Sequence, residues 1–153
     1  MLNNVVNISA LAKPISLDDQ GIYYATNRKT GNINNVFHLV YEDDDWYLYQ
    51  LKNTSKNGEM GWVILADNGD YPLKSMSTEN VRRHFNRPEF AEPKGAWQLI
   101  KNSRYGFGKF TPVNNEQETA YAMVLFSNGE MLVPLRILKA QDKALQSLAS
   151  LEK

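Results

Sequence analysis

The sequence predicts an α+β fold that is predominantly antiparallel β, a hairpin-rich small barrel or sheet with two helices. Two Asn-Gly pairs, at 68–69 and 128–129, lie between short apolar runs. Asn-Gly accepts the positive φ angles that a two-residue type I′ turn needs between antiparallel strands. Runs rich in Val, Ile, Tyr, Phe and Trp, bounded by turn-forming residues, are typical of strands.

The first half of the chain is expected to follow an irregular segment at 1–20. Strands are predicted at 21–26, 36–41, 46–51, 62–65 and 71–73. The second and third strands form a hairpin with a longer acidic turn, and the fourth and fifth form a hairpin across Asn68-Gly69. Pro72 cannot donate a hydrogen bond to a neighbouring strand, so the fifth strand lies at an edge or ends there.

A short helix is predicted near 78–87, where the apolar spacing changes from two residues towards 3.6. Ser77 or Thr78 can cap it, Val81 and Phe85 share one face, and Pro88 ends it. Strands then follow at 97–100, 105–110, 120–126 and 131–133, with Pro134 marking another edge or end. A C-terminal helix is predicted near 137–151 because its apolar residues recur at three- and four-residue spacing: Ile137, Ala140, Ala144, Leu148 and Leu151.

The domain boundaries follow from this order: a β-rich half at 21–88 ending in the short helix, and a β-rich half at 89–153 ending in the second helix. At an offset of 60 residues the halves share the order hairpin, loop, Asn-Gly hairpin, helix. If the offset marks an internal repeat, each unit of four short strands and a helix resembles a small SH3-like barrel, a scaffold used mostly for binding. The alternative is one domain at 21–153.

The composition excludes several classes of function. The 153 residues include no cysteine, which rules out disulfides, a thiol nucleophile and cysteine-ligated zinc, and two histidines rarely hold a structural metal. The N-terminal residues lack the basic and apolar regions of a secretory signal, and no segment is long enough to span a membrane. We therefore expect a cytoplasmic protein without cofactor or membrane partner, and the composition suits a bacterial or phage accessory protein.

The charge is balanced overall but not along the chain. The net charge is zero, which argues against a protein that binds polyanions over its whole surface. Residues 1–76 carry a net −3 and residues 77–153 a net +3. This partition favours electrostatic complementarity with a partner that meets one half.

An acidic hairpin tip is the first candidate site, formed by Glu42, Asp43, Asp44 and Asp45. Carboxylates can hold Mg²⁺ or Ca²⁺, but this run lacks the glycine and the terminal glutamate of a calcium loop. Four acidic residues between two apolar strands are typical of a solvated tip. The prediction is a contact for a basic partner, with no metal.

A basic and aromatic surface is the second candidate, for nucleic acid or a partner protein. Its residues are Arg82, Arg83, Arg87, Lys101, Arg104, Tyr105, Phe107 and Lys109. Strand alternation puts Tyr105, Phe107 and Lys109 on one face. The strand is similar to the aromatic-glycine strand with which cold-shock and RRM sheets stack bases, although it lacks the glycine that follows the basic residue there. The alternative is that Tyr105 and Phe107 belong to the core.

The function predicted from these features is a non-catalytic binding or adaptor protein that docks onto a protein or nucleoprotein partner through aromatic β surfaces and charged tips. Nucleic-acid binding by the surface at 82–110 is the alternative. An enzyme is the second alternative, with His38 or His84 as acid or base, but no nucleophile, phosphate-loop or metal motif accompanies either histidine. Edge strands also allow a homodimer.

Overall fold

Nine strands form one antiparallel sheet in the computed structural model, which describes residues 15–66, 69, 71–84, 95–112, 118–126 and 131–137. A 3-10 turn, Leu17–Asp19, precedes the sheet, and the helix α1 spans Thr78–His84. The strands are β1 (Gly21–Thr26), β2 (Ile33–Glu42), β3 (Asp45–Asn53), β4 (Met60–Ile64), β5 (Lys74–Met76), β6 (Gly95–Lys101), β7 (Tyr105–Pro112), β8 (Ala120–Leu125) and β9 (Met131–Ile137).

The strand order is β4-β3-β2-β1-β9-β8-β7-β6-β5. The first meander, β1–β4, and the second meander, β5–β9, therefore join where β1 pairs with β9. Within the described residues, that junction contains two paired positions, Tyr23 with Ile137 and Tyr24 with Arg136. The sheet curls into a half-barrel, and Leu73 forms an antiparallel bridge to Trp46 of β3, with its N–H 2.8 Å from the Trp46 carbonyl oxygen. The segment before β5 therefore lies against the opposite meander.

The concave face of the sheet holds the main core. Its largest fully buried side chains include Tyr23, Phe107, Leu39, Leu48 and Leu73. They come from both meanders and alternate with outward residues along their strands, as the two-residue period of a strand requires. One apolar interior thus joins the two halves of the chain.

A second cluster covers the outward face of β6, β7 and β8. Val81 of α1 is fully buried there against Trp97, Leu99, Ala122 and Val124. The helix forms because Ser77 accepts a hydrogen bond from the Asn80 N–H and Val81 supplies the apolar contact. This outward face is closed by a helix of the chain itself.

The structure confirms a mostly antiparallel β fold and the helix that begins at Thr78. The predicted hairpin across Asn68-Gly69 is wrong, because β4 pairs with β3 and β5 pairs with β6. The turn between β2 and β3 is also tighter than predicted, since Glu42 pairs with Asp45 and only two residues lie between them. The second Asn-Gly hairpin has its two strands paired as predicted, β8 with β9.

Two SH3-like units are not confirmed, because all nine strands belong to one sheet. The offset of 60 residues does place β2 on β6, but it exchanges their faces: Leu39 lies in the concave core and Leu99 in the outward cluster. The C-terminal helix predicted at 137–151 lies outside the described residues, apart from Ile137, which ends β9. Within the described residues, no helix has the length and apolarity to cross a membrane.

Pro134 occurs inside β9 rather than at its end. It lies opposite Ala122 of β8, while β1 pairs with β9 only at Arg136 and Ile137. Among the described residues, the side of β9 that faces β1 is therefore unpaired at Pro134. A proline fits there because it has no N–H to donate to a neighbouring strand.

We expect Gly108→Ala to lower the free energy of unfolding by about 1–3 kcal/mol, as overpacking does in a well-packed cluster. A Cβ at Gly108 would lie 3.0 Å from Trp97 Cζ3, and the Trp97 ring cannot withdraw because it stacks on Phe110 with 4.4 Å between ring centroids. Urea denaturation measures the change.

Gly61→Ala is the matched control for this variant. Its Cβ would lie 3.0 Å from Thr54 Cγ2, but Thr54 is exposed and can change rotamer. The control should therefore lose less stability than Gly108→Ala, and an equal loss in the two variants would contradict the role of the Trp97 contact.

Candidate functional site

The outward face of β1–β4 carries a broad apolar patch, which we call the aromatic face. Its residues are Ile22, Tyr24, Val36, His38, Tyr49, Leu51, Trp62 and Ile64. The register places them in rows: Ile22 opposite His38, His38 opposite Tyr49, and Tyr49 opposite Ile64. Neighbouring strands therefore bring these side chains together on one surface.

This patch departs from the usual pattern of an antiparallel sheet, in which one face is apolar and the other polar. Along β2, the outward residues Val36 and His38 alternate with Phe37 and Leu39, which point into the concave core. None of the eight residues of the aromatic face is Asp, Glu, Lys or Arg. An exposed Arg136 stands at the border, opposite Tyr24.

The centre of the aromatic face is shielded from water and its surroundings are half-buried. Val36 is 4% exposed and Leu51 is 8% exposed, whereas Tyr24, Tyr49 and Trp62 are each partly accessible. In the described part of the chain, α1 packs on the outward face of β6–β8, and no comparable element packs on the aromatic face. The two outward surfaces of the sheet therefore differ in how they are closed.

His38 contributes to this face as a neutral ring. Its centroid lies 5.4 Å from that of Trp62, and burial lowers the pKa of His38 below its ordinary value. At neutral pH the imidazole therefore adds no charge to the apolar surface. His84, the other candidate acid or base, lies on α1 with its ring 5.3 Å from Phe126, in a different cluster. The two histidines do not form a joint site.

The basic and aromatic residues predicted at 82–109 are divided by the structure. Tyr105, Phe107 and Lys109 do share one face of β7, but that face is the concave interior. Phe107 is fully buried and Tyr105 packs against the same core. Arg82, Arg83 and Arg104 are exposed, Lys101 is half-buried, and Arg87 lies outside the described residues.

A cleft of about 400 Å³ lies between β5, the start of α1 and the turn after β6. Lys74 and Lys101 stand directly opposite each other on β5 and β6 at this cleft. Lys74 forms an ion pair with Asp45, whereas the Lys101 ammonium donates to the Asn102 carbonyl oxygen at 3.3 Å and lies 5.1 Å from the centre of the Phe126 ring. Two lysines, Lys74 and Lys101, thus line this cleft.

The acidic tip is a two-residue turn in which Asp43 and Asp44 adopt positive φ angles of 51° and 65°. Asp tolerates this left-handed conformation better than most residues do. Glu42, Asp43 and Asp44 are exposed, and Asp45 is half-buried beside Lys74. Among the residues that the structure describes, no cluster of three or more His, Cys, Asp or Glu could hold a metal ion.

A buried polar cluster centred on Asp19 was not predicted from the sequence. The Asp19 carboxylate lies 2.8 Å from Lys109 Nζ and accepts a hydrogen bond from the Tyr121 hydroxyl at 2.7 Å. It also accepts the Ser16 N–H at 2.7 Å, and the Tyr23 hydroxyl donates to the Asp19 carbonyl oxygen at 2.6 Å. The cluster fixes the 3-10 turn against three strands.

The charge state of this cluster follows from its contacts. Burial raises the pKa of Asp19, but hydrogen bonds from Lys109, Ser16 and Tyr121 outweigh burial, so the pKa lies below its ordinary value. Burial also raises the pKa values of Tyr23 and Tyr121, and the nearby Asp19 charge raises them further. Around neutral pH Asp19 is therefore ionised, and the Tyr23 and Tyr121 phenols are neutral. No signal in the sequence joins Asp19 to a lysine 90 residues away.

Comparison of the chain with protein-family models, with curated proteins and with solved structures yields no match. The function of the chain therefore has to be inferred from the surfaces described above.

We expect Asp19→Asn to lower the free energy of unfolding at pH 7 by about 3–5 kcal/mol, because it leaves Lys109 buried without its carboxylate. The pKa of Asp19 is depressed in the folded state, so its contribution is complete above the unfolded value of about 4 and is lost as the pH falls through the folded value. The difference between wild type and variant should therefore shrink below about pH 4. Urea denaturation across this pH range tests both statements.

The control is Asp18→Asn, which removes a charge from the exposed neighbouring residue. It should change stability by less than about 0.5 kcal/mol at pH 7. A constant difference between wild type and Asp19→Asn down to low pH would exclude the titration of Asp19 as the cause.

Proposed function

We propose that this chain is a non-catalytic binding protein that docks onto a protein partner through the aromatic face of β1–β4. The observation that carries the proposal is a surface of eight outward-facing residues without a Lys, Arg, Asp or Glu, centred on Val36 and Leu51. Contiguous apolar patches of this kind mark interaction surfaces in proteins.

The chemistry of the aromatic face suits a protein interface. Tyr and Trp supply large contact areas at a small cost in side-chain entropy, and they are enriched among the residues that dominate binding energy. Tyr24 lies opposite Val36, Trp62 lies opposite Leu51, and Tyr49 precedes Leu51 by two residues on β3; all three aromatic residues are partly accessible. Partly exposed aromatic residues beside an apolar centre support the exclusion of water when a partner binds.

The acidic tip lies on the hairpin that supplies the middle of the aromatic face. Strands β2 and β3 carry Val36, His38, Tyr49 and Leu51, and their turn presents Glu42, Asp43 and Asp44 to solvent. Charges at the rim of an interface raise association rates and select complementary partners. The proposed partner therefore has an apolar contact surface with a basic region at one end.

Nucleic-acid binding is the second candidate, favoured by the exposed Arg82, Arg83 and Arg104 and by Lys101 at the cleft. The buried positions of Tyr105 and Phe107 leave this set without the stacking residues that the sequence suggested. Binding through it would rest on phosphate contacts and would weaken steeply as salt concentration rises.

We expect Tyr49→Lys to weaken partner binding at least tenfold, because it places a charge among apolar groups, and tenfold corresponds to about 1.4 kcal/mol. The partner is first captured with a photo-crosslinking phenylalanine analogue in place of Tyr47, the outward residue two positions before Tyr49 on β3. Binding of the purified partner to each variant is then measured by calorimetry, with a thermal melt to show that the variant is folded.

Lys52→Glu is the control for this experiment, because Lys52 is exposed and belongs to β3 but not to the aromatic face. It should bind the partner within about twofold of wild type, the usual range for a distant surface substitution. Equal affinity of wild type and Tyr49→Lys for the captured partner would refute the proposal.

A titration of labelled single- and double-stranded oligonucleotides separates the two candidates. If the aromatic face is the binding surface, anisotropy should show no binding at near-physiological salt. If the basic residues bind nucleic acid, affinity should fall with salt. Replacing Arg82 and Arg83 with Ala should then make the slope of log K against log salt shallower, by roughly 0.9 for each duplex phosphate that the variant no longer neutralises.

A further inference from the structure

The two ends of the sheet, β4 and β5, differ in how their free edges are protected. Strand β5 has three residues, follows Pro72, and carries Lys74 beside Asp45. Short length, proline and lysine are devices by which proteins keep sheet edges from pairing with other chains. The N–H of Leu73, just before β5, is already bonded to Trp46.

Strand β4 has none of these protective features. It consists of Met60, Gly61, Trp62, Val63 and Ile64, without charge and without proline. Of the strands that the structure describes, only β3 pairs with it. Val63 is 36% exposed, so this edge is reachable from solvent.

The backbone groups that face the free edge can be identified. The Leu65 N–H donates to the Leu48 carbonyl oxygen at 2.8 Å, so the residue after β4 points its backbone towards β3. Hydrogen-bonding direction alternates along an antiparallel strand. The backbone N–H and C=O of Trp62 and Ile64 therefore point away from β3 and towards the open edge.

We infer that this edge pairs with β4 of a second copy of the chain, antiparallel, about a two-fold axis at Trp62. The pairing sets Met60 of one protomer against the partner's Ile64, and Gly61 against the partner's Val63. All five residues are uncharged, so the strand is complementary to itself and no like charges oppose each other. An isologous contact of this kind closes after two copies.

The dimer extends the proposed function rather than replacing it. Residues opposite each other in an antiparallel pair share one face, so the two aromatic faces lie side by side on the same surface of the joined sheet. A five-residue edge buries less than the roughly 1,200–2,000 Å² of a standard interface. The association is therefore weak and depends on concentration.

Sedimentation velocity over a range of protein concentrations tests the inference. The average mass of wild type should rise from the 17.5 kDa of one chain towards twice that value. Ile64→Pro removes an N–H that faces the open edge but none that faces β3, so it should stay monomeric with its fold intact. Ser75→Pro makes the matched change at the β5 edge. The Leu73 N–H points to Trp46, and because direction alternates along the strand the Ser75 N–H also points away from β6. This variant should dimerise like wild type.

Disulfide trapping keeps the test decisive should Ile64→Pro fail to fold, since the natural chain has no cysteine. Hydrogen-bonded antiparallel pairs have Cα atoms about 5.5 Å apart, within disulfide range, so Trp62→Cys should form a covalent dimer on mild oxidation. Lys52→Cys, an exposed residue on the adjacent strand, should not.

A wild type that stays monomeric at every concentration, or an Ile64→Pro variant that dimerises normally, would overturn the inference. If wild type is monomeric, and Ile64→Pro abolishes crosslinking of a different protein at Tyr47 while Ile64→Ala, which keeps the edge N–H, does not, the edge belongs to that partner and not to a second copy. Failure of the dimer leaves the crosslinking result at the aromatic face unchanged, so the two proposals fail separately.

Discussion

The hydrogen bonds and the ion pair at Asp19 connect the two meanders of the sheet through side chains. Among the residues that the structure describes, β1 and β9 join the two meanders through two paired positions. Asp19 bonds to Tyr23 of β1 in the first meander and to Lys109 of β7 and Tyr121 of β8 in the second. Replacing a buried ion pair with apolar residues is often neutral, but removing one partner is costly. The cluster therefore constrains the curl of the sheet whether or not it adds net stability.

The curl determines which surfaces need covering. It gives the sheet a concave side, filled by residues of both meanders such as Tyr23 and Phe107, and a convex side on which each meander has its own apolar cluster. On β6–β8, glycines at 106 and 108 leave room for Leu99 and Trp97 beneath α1. On β1–β4 the equivalent outward positions carry Tyr24, Tyr49 and Trp62. Among the described residues, α1 therefore covers one convex surface, while the other presents its aromatic residues outward.

Local patterns predicted the strands well because period-two alternation and turn chemistry act over a few residues. They did not predict strand partners. Asn68-Gly69 favours a tight turn, yet β4 and β5 each find a different neighbour, because Leu73 bridges to Trp46 and carries the chain past β3 to β6. Alternation likewise placed Tyr105, Phe107 and Lys109 on one face without showing which face is concave. The Asp19–Lys109 pair depends on contacts across 90 residues, beyond any local pattern.

One sequence signal for the aromatic face is nevertheless present in β1–β4. Apolar or aromatic residues occupy both faces of these strands: Ile22 and Tyr24 lie on the face opposite Tyr23 in β1, and Val36 lies on the face opposite Phe37 in β2. Strands buried on one side alternate between apolar and polar residues, whereas strands covered on both sides do not. In an antiparallel sheet with a single concave core, apolar residues on both faces of a strand imply a second surface that excludes water. The outward residues of the aromatic face bear no charge, whereas the tip of the β2–β3 hairpin bears several charges. Apolar contact and electrostatic selection are therefore separated along one hairpin. Protein interfaces show the same division between an apolar core and a polar rim.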